Sequence, residues 1–314
     1  MTTFILKRLV SMVPVLFLVS IVIFSLIHLT PGDPVLAMLG EEATPEARDR
    51  LRTQLGLDRP LPVQYGAWLL RVLSGDLGRS IRTNQPVAEA IYERLPVTIE
   101  LALLALTIAL VIALPAGIIA ATRRGTFADI GSTVMCLLGV SMPNFLLAVF
   151  LVYVFSLTLR WLPPIGYISP FQDVLGNLKG MIMPAITLGA FAAAATARLT
   201  RSTLLEVLGQ DYIRTGWAKG LNEHTIIQRH AMKNAMIPVV TVIGLQLGNL
   251  LGSAIVTETI FALPGVGRLV VDSIYQRDFP LVQGVTLYLA VIFLVVNLIV
   301  DMIYAYLDPR IRYS

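Results

Sequence analysis

Charge is scarce in this sequence. Asp, Glu, Lys and Arg together make up 14% of its 314 residues, whereas hydrophobic residues make up 56%. A soluble domain carries about 25% charged residues, so this composition excludes an ordinary soluble globular domain. The sequence has a single cysteine, Cys136, which excludes a disulfide framework within the chain and a cysteine-rich metal site.

Common catalytic motifs are also missing. No Gly-x-x-x-x-Gly-Lys-Ser/Thr sequence is present, so the chain has no P-loop to bind the phosphates of a nucleotide. The Gly-x-Ser-x-Gly motif of many serine hydrolases is absent, and the three histidines form no His-Glu-x-x-His zinc motif. We therefore predict a chain that is not an enzyme and that binds no metal or cofactor itself.

Long apolar runs are what the sequence does contain. Six of them are long enough to cross a bilayer, whose hydrocarbon core of ~30 Å needs roughly 20 residues of helix. They cover residues 9–29, 97–121, 130–159, 181–200, 237–256 and 282–306. The sequence therefore predicts an all-α membrane protein with six transmembrane helices.

The fourth run is rich in alanine, and we expect it to pack inside the bundle because small side chains let helices approach closely. Pro115 and Pro143 predict kinks in the second and third helices.

The distribution of basic residues predicts the orientation. They lie at one end of the apolar runs, at Lys7, Arg8, Arg123, Arg124, throughout the segment 198–233, and at Arg310 and Arg312. By the positive-inside rule, this end is cytoplasmic. We therefore expect cytoplasmic N- and C-termini, an extracytoplasmic loop over residues 30–96, and a cytoplasmic loop over residues 205–236.

The extracytoplasmic loop contains helix signals. Thr44, Pro45 and Glu46 provide a cap, a proline and an acid for the first turn of a helix that ends at Gly56. Residues 64–73 and 87–95 are candidates for two more short helices. Two interpretations remain open: the loop is a packed cap over the outer ends of the spans, or it is a docking surface for an external solute receptor.

The segment 211–238 is polar, and we predict that it forms two short helices at the cytoplasmic membrane surface. Asp211 is expected to cap the first helix, which runs to Lys219, and Gly220 to take the left-handed position just after its end. Asn222 is expected to cap the second helix, with Glu223 in its first turn.

The second of these helices has two faces. Ile227, Ala231 and Ala235 form an apolar stripe, and Arg229 and Lys233 form a basic one. A helix-turn-helix of this kind is suited to contact a soluble partner. The alternative interpretation is an amphipathic helix that lies on anionic lipid.

Short motifs in this segment and along the chain carry a family resemblance. Within the segment they are Ala218-Lys219-Gly220 and the run 228–235 followed by Pro238. Elsewhere they are Pro31-Gly32-Asp33-Pro34, Gly75-Asp76-Leu77-Gly78, Ser141-Met142-Pro143, Thr257-Glu258-Thr259-Ile260-Phe261, Pro264-Gly265-Val266-Gly267-Arg268 and Asp308-Pro309-Arg310-Ile311-Arg312. In this order and spacing they resemble the permease subunits of type I, binding-protein-dependent ABC importers, in the dipeptide, oligopeptide and nickel branch. The EAA motif of that family begins Glu-Ala-Ala, whereas this chain has Thr215-Gly216-Trp217-Ala218.

The resemblance implies the fold, the partners and the coupling site. It implies a MetI-like, type I ABC importer permease fold, with a five-helix core over residues 97–306, in the bacterial cytoplasmic (inner) membrane. The implied partners are a second homologous permease, two ABC ATPase subunits that bind ATP and Mg, and an extracytoplasmic solute-binding protein. No nucleic acid partner is implied. The residues implied to contact the ATPase are Arg214, Ala218, Lys219, Gly220, Leu221, Asn222, Arg229, His230 and Lys233.

The resemblance also implies a substrate class. Peptides are favoured, and glutathione, nickel chelates and oligosaccharides are alternatives carried by similar importers. A secondary transporter driven by an ion gradient is the alternative of a different class. It is expected to have acidic or histidine relays within the spans and often an internal repeat, and neither is evident in the sequence.

Polar residues within the spans are candidates for the translocation pathway, because they usually face a bundle interior or a cavity. Asn144, Gln246 and Asn249 are the residues we predict there, the last two being three apart on one helical face. The alternative role for these amides is hydrogen bonding between helices.

Overall fold

The computed structural model describes residues 2–29, 35–36 and 44–307. The helices are α1 (Thr2–Leu29), α2 (Pro45–Leu55), α3 (Leu61–Leu73), α4 (Val87–Thr122), α5 (Phe127–Ser141), α6 (Asn144–Thr158), α7 (Val174–Leu208), α8 (Asp211–Ala218), α9 (Glu223–Ile260), α10 (Val266–Tyr275) and α11 (Phe279–Leu307). The Pro31–Pro34 and Asp308–Arg312 motifs, including the basic residues Arg310 and Arg312, lie outside the described residues.

The chain divides into two compact units, whose boundaries fall within α4, between α9 and α10, and within α11. One unit contains Thr98–Leu263 and the chain from Val296 onward, and the other contains Thr2–Val97 and Pro264–Val295. The first unit holds most of the spanning helices and the polar segment at the basic end. The second holds α1 and the long loop that follows it.

The number of spans agrees with the prediction. Five helices among the described residues are long and apolar enough to cross a membrane, and α5 with α6 forms a sixth span if the bent pair crosses as one. The helices extend beyond the predicted apolar runs. The predicted short helix over 87–95 is part of α4, which continues past residue 97 and runs without a break through Pro115.

The third span is broken. The axes of α5 and α6 are bent by 108° at a break between Ser141 and Asn144. Met142 has an extended backbone (φ −89°, ψ 121°), which is the conformation that a following proline favours, because the proline ring clashes with a helical residue before it. Pro143 therefore does more than kink the helix, since it ends α5 and begins α6.

The alanine-rich helix α7 packs in the interior of the first unit, as predicted. In its most hydrophobic stretch, 67% of the residues are buried, compared with 28% for α4 and 33% for α9. Glycines bring the neighbouring helices into contact with it. A Cβ atom at Gly117 of α4 would lie 2.7 Å from the Ala197 carbonyl oxygen, and one at Gly139 of α5 would lie 3.1 Å from the Ala194 Cβ.

The long loop in the second unit is ordered by local signals. The Thr44 hydroxyl accepts a hydrogen bond from the Ala47 amide (3.3 Å), and Gly56 ends α2 with a left-handed backbone (φ 68°), both as predicted. The buried carboxylate of Asp278 accepts hydrogen bonds from the Ser80 hydroxyl (2.5 Å) and the Ile81 amide (3.3 Å). These hydrogen bonds hold the loop to Asp278, which lies between α10 and α11 in the same unit.

Candidate functional site

The predicted helix-turn-helix lies at the basic end of the first unit, between α7 and the apolar part of α9. The first helix is α8, Asp211–Ala218. The prediction that Asp211 caps it was wrong, because Gln210 occupies the cap position without a side-chain hydrogen bond. Asp211 instead lies in the first turn, where its carboxylate pairs with Arg214 at 3.4 Å on an exposed surface. A carboxylate in the first turn still complements the positive end of the helix dipole.

Gly220 makes the turn between the two helices. Its φ is 76°, in the left-handed region, and its amide donates to the Trp217 carbonyl oxygen at 2.9 Å. The Asn222 side chain then caps the next helix by accepting a hydrogen bond from the Thr225 amide at 2.8 Å. Both features match the sequence prediction, and together they fix the direction in which the chain enters α9.

The second helix is continuous with a membrane span. Residues Glu223–Ile260 form one helix of 38 residues, in which the turn Ile226–Ala231 is π-helical. A π-helical turn places residues five apart on one face, so Ile226 and Ala231 are buried together, whereas Ile227 is only partly buried. The predicted apolar stripe is therefore buried at Ala231 and Ala235 but only partly at Ile227, because the spacing of four assumed a regular α-helix.

The underside of the helix-turn-helix is apolar and tightly packed. Ile213 of α8 and Ile226, Ala231 and Ala235 of α9 are each at most 1% exposed, and they cluster with Leu204 of α7. The Tyr212 hydroxyl accepts a hydrogen bond from the Asn234 side-chain amide at 2.9 Å and thereby ties α8 to α9. The two helices and the end of α7 thus form one packed corner.

The outer surface of the corner is polar and exposed. Of the residues predicted to contact an ATPase, Leu221 is partly buried and the others are exposed, namely Arg214, Ala218, Lys219, Gly220, Asn222, Arg229, His230 and Lys233. The side chains of Tyr212 and Trp217 are also 44% and 48% exposed, respectively. Sequence reasoning did not include these two aromatic residues, although their position beside Ala218 and the basic residues is a signal for a contact surface.

The three predicted pathway residues line one cavity. Asn144, Gln246 and Asn249 come together in a cavity of about 330 Å³ at the break between α5 and α6, which α7 and α9 complete. Gln246 is buried; its side-chain oxygen accepts from the Thr196 hydroxyl at 3.1 Å and its side-chain amide donates to the Ala192 carbonyl at 3.3 Å. Gln246 therefore links α9 to α7, which was the alternative role considered for it.

The other two amides differ from Gln246. Among the described residues, the side chains of Asn144 and Asn249 have no hydrogen-bond partner, so both are available to the contents of the cavity. Ser141 and Ser253 also line the cavity and were missed from the sequence. The lining contains polar groups without a formal charge, so the cavity is suited to uncharged hydrogen-bonding groups.

Polar contacts also gather at the opposite end of the first unit. The Tyr167 hydroxyl donates to the Glu100 carboxylate at 2.7 Å, and the Thr98 hydroxyl donates to the buried Glu258 carboxylate at 2.6 Å. Burial, together with the hydrogen bond to Glu100, raises the pKa of Tyr167. Among the described residues, no group of three or more His, Cys, Asp or Glu side chains is arranged to hold a metal ion.

Two kinds of comparison identify the family. Residues 113–313 match the family model "Binding-protein-dependent transport system inner membrane component", and residues 1–102 match the corresponding N-terminal model. A protein of Brucella abortus (strain 2308), named for a peptide transport system permease, is 47% identical over the full length of both chains. The glutathione transport system permease protein of Shigella flexneri serotype 5b (strain 8401) is 42% identical, again over the full length of both.

The fold agrees with these relatives. A chain from the inward-facing MetNI methionine ABC transporter matches with a TM-score of 0.57 and 18% identity, over 70% of this chain and 96% of that one. The predicted all-α membrane fold, with its several apolar helices, is thus confirmed. This chain belongs to the family of multi-pass inner membrane components of binding-protein-dependent transport systems.

Proposed function

We propose that the chain is one permease subunit of an ABC importer for peptides and that it hydrolyses no ATP itself. Two full-length relatives are named for transport of peptides and of glutathione, which is itself a small peptide. The absence of a P-loop from the sequence supports the assignment of ATP and Mg to separate subunits. Glutathione is the alternative substrate, because one of these relatives is named for its transport.

The observation that carries this proposal is the packed corner formed by α8, Gly220 and α9. Its polar outer surface carries four exposed basic residues, Arg214, Lys219, Arg229 and Lys233, against two exposed acids, Asp211 and Glu223. The net positive charge makes this surface suited to an acidic cleft on an ATPase subunit. Its apolar underside is fixed to α7 and α4 through buried side chains. A push on this surface would therefore move the spanning helices rather than deform a loose loop.

The continuity of α9 provides a route from the corner to the cavity. The same helix carries the basic residues Arg229 and Lys233 and, further along, the cavity residues Gln246 and Asn249. Movement of the ATPase subunits would thus shift one wall of the cavity relative to α5 and α6. We infer that Asn144 and Asn249 present their free amide groups to the peptide backbone in transit.

The complete importer in this proposal contains partners on both sides of the membrane. A second homologous permease completes the pathway, two ATPase subunits bind the cytoplasmic corners, and an extracytoplasmic solute-binding protein delivers the substrate. The extracytoplasmic loop, held to the buried Asp278 by hydrogen bonds from Ser80 and Ile81, supports a stable surface on that side.

A charge reversal at the corner tests the proposal. In proteoliposomes that contain the complete importer, Arg229→Glu with Lys233→Glu is expected to lower ATP-driven peptide uptake at least tenfold, because both side chains lie on the exposed basic surface. Lys179→Glu, which changes an exposed lysine at the opposite end of α7, is the matched control and should keep uptake near the wild-type level. Uptake that proceeds without ATP and responds only to an imposed ion gradient would contradict the proposal and favour a secondary transporter.

A further inference from the structure

A second cavity in the first unit differs from the polar one in composition and position. It has a volume of about 380 Å³ and lies among α4, α5, α6 and α7, with Ala116, Met135, Cys136, Ala190 and Ala194 in its lining. Nearly all the lining atoms are apolar, and the proposed peptide pathway does not use this cavity. Small side chains on α7 keep it open, since alanines occupy positions where larger residues would fill the space.

The size and polarity of this cavity, and its position within the bilayer, indicate what kind of molecule can fill it. Water does not fill apolar cavities, whereas apolar ligands enter them. At about 30 Å³ for a group the size of a water molecule or a methylene, the cavity holds on the order of a dozen such groups. The cavity lies within the spanning helices, so the apolar material that surrounds the protein there is lipid hydrocarbon. An acyl chain is therefore an occupant of the right size and polarity.

The basic end of the cavity supplies the complementary charge. Ser132 and Ala116 lie at this end and are joined by a hydrogen bond from the Ser132 hydroxyl to the Ala116 carbonyl at 3.2 Å. The Arg198 guanidinium is exposed and lies one residue beyond the lining residue Ala197. Among the described residues, no carboxylate lies within ion-pairing distance of Arg198.

Neighbouring charges leave a net positive patch at this end. Arg201, one turn from Arg198, is neutralised by Asp129, to which it donates two hydrogen bonds, at 2.7 and 3.0 Å. Arg123 and Arg124 are exposed in the turn between α4 and α5. This turn is held against the same site, because the Gly125 amide donates to Asp129 at 3.1 Å. Arg198, Arg123 and Arg124, all exposed, thus leave this end of the first unit with a net positive charge.

We propose that this cavity is a binding site for an anionic phospholipid, with one acyl chain among α4, α5, α6 and α7 and the phosphate at Arg198, Arg123 and Arg124. Basic pockets between spanning helices on the cytoplasmic side are suited to anionic headgroups. By the positive-inside rule, this is the cytoplasmic end of the helices. The lipid would lie beside the bent helix pair α5–α6, so its presence would stabilise the broken span. The inference is independent of which solute the importer carries.

Native mass spectrometry of the full-length chain, released from nanodiscs of equal parts phosphatidylglycerol and phosphatidylcholine, tests the site. The wild-type chain is expected to retain one phosphatidylglycerol with at least a threefold preference over phosphatidylcholine. Arg198→Ala should abolish this preference while a lipid is still retained, and Ala190→Phe should prevent retention by filling the cavity. Lys179→Ala, at the far end of α7, and Val111→Phe, on the exposed face of α4, are matched controls that should behave as wild type.

A measurement on the unmodified chain covers the case in which the cavity variant does not fold. A phosphatidylglycerol with a photoreactive acyl chain should label peptides from α5 and α7 that line the cavity, and unlabelled phosphatidylglycerol should compete. Labelling confined to other helices, or equal retention of both lipids by the wild-type chain, would overturn the proposal. In that case a side chain of a neighbouring subunit becomes the better candidate to cover the cavity.

Discussion

Gly220 has a backbone conformation that few other residues adopt. Its substitution tests the effect of backbone strain alone, because an added side chain would cause no steric clash at its Cβ atom. Its φ is 76°, and a Cβ atom at this position would meet no atom within 4 Å. The left-handed conformation costs most L-residues roughly 1–2 kcal/mol, whereas asparagine visits it more readily. We expect Gly220→Val to abolish peptide uptake by the reconstituted importer and Gly220→Asn to retain most of it.

Gly216 provides the control for this prediction. It has no left-handed backbone, and an added Cβ atom would lie 3.7 Å from its nearest neighbour, at ordinary van der Waals distance. Gly216→Ala should therefore preserve uptake, and all three variants should insert into the membrane at wild-type levels. Equal uptake by Gly220→Val and the wild type would show that the turn is not required for coupling.

Residues that act through local backbone geometry were the most predictable from sequence. Thr44, Gly56, Gly220 and Asn222 have their predicted roles because caps and left-handed turns depend on a few adjacent residues. Ile227 is buried less than predicted, because a π-helical turn shifts the register and buries Ile226 with Ala231. The sequence does not distinguish such a turn from a regular one, since its hydrogen bonds depend on how α9 packs against α7 and α8.

The broken helix pair α5–α6 depends on Pro143, and its removal should straighten the span. An alanine at this position supplies the missing amide hydrogen and relieves the restriction on Met142, which now has an extended backbone. The bend can be followed as the distance between residue 136 in α5 and residue 149 in α6. Electron paramagnetic resonance measures this distance between spin labels at Cys136 and at a cysteine introduced by Val149→Cys. In Pro143→Ala it should approach the length of a straight helix, on the order of 20 Å at 1.5 Å per residue, and the wild-type distance should be shorter.

Pro115→Ala is the comparison for this measurement. Pro115 lies inside α4, which continues through it without a break, so its replacement should leave the Cys136–Val149 distance unchanged. A wild-type distance that is already on the order of 20 Å would show that α5 and α6 form a straight helix in the membrane. The bend, and with it the cavity lined by Asn144, would then not exist in the bilayer.

At the scale of elements, apolar length predicted the spans but not their ends. The six apolar runs correspond to the five long helices and the bent pair, because each crossing needs a minimum length of apolar helix. The helix ends were not predicted where a helix continues into polar sequence beyond its apolar run. This occurs in α4 before residue 97 and in α9 before residue 237. Helical hydrogen bonds do not require apolar side chains, so hydropathy marks where a helix enters the bilayer rather than where it begins.

At the scale of the whole molecule, the cavity depends on contacts that no single segment specifies. Asn144 and Asn249 are far apart in sequence, and they meet because α5 ends at Pro143 and α7 packs closely with α9 through Gln246. The sequence indicated these polar residues individually. Their common position follows from the packing of α7, whose alanines and partner glycines set the distances between helices.

We expect the chain to function within a larger assembly. An exposed basic corner needs a partner to bind it, and a cavity with free amides needs a second permease to complete the pathway. A tagged chain extracted from its native membrane in mild detergent is expected to bring with it P-loop ATPase subunits and a second permease, identified by mass spectrometry. Arg229→Glu with Lys233→Glu should reduce recovery of the ATPases but not of the second permease, since the corner is the proposed ATPase contact and is not assigned to the permease pair. Recovery of the chain alone from several mild detergents would count against the importer. The exposed basic corner would then be better explained as a surface that lies on anionic lipid.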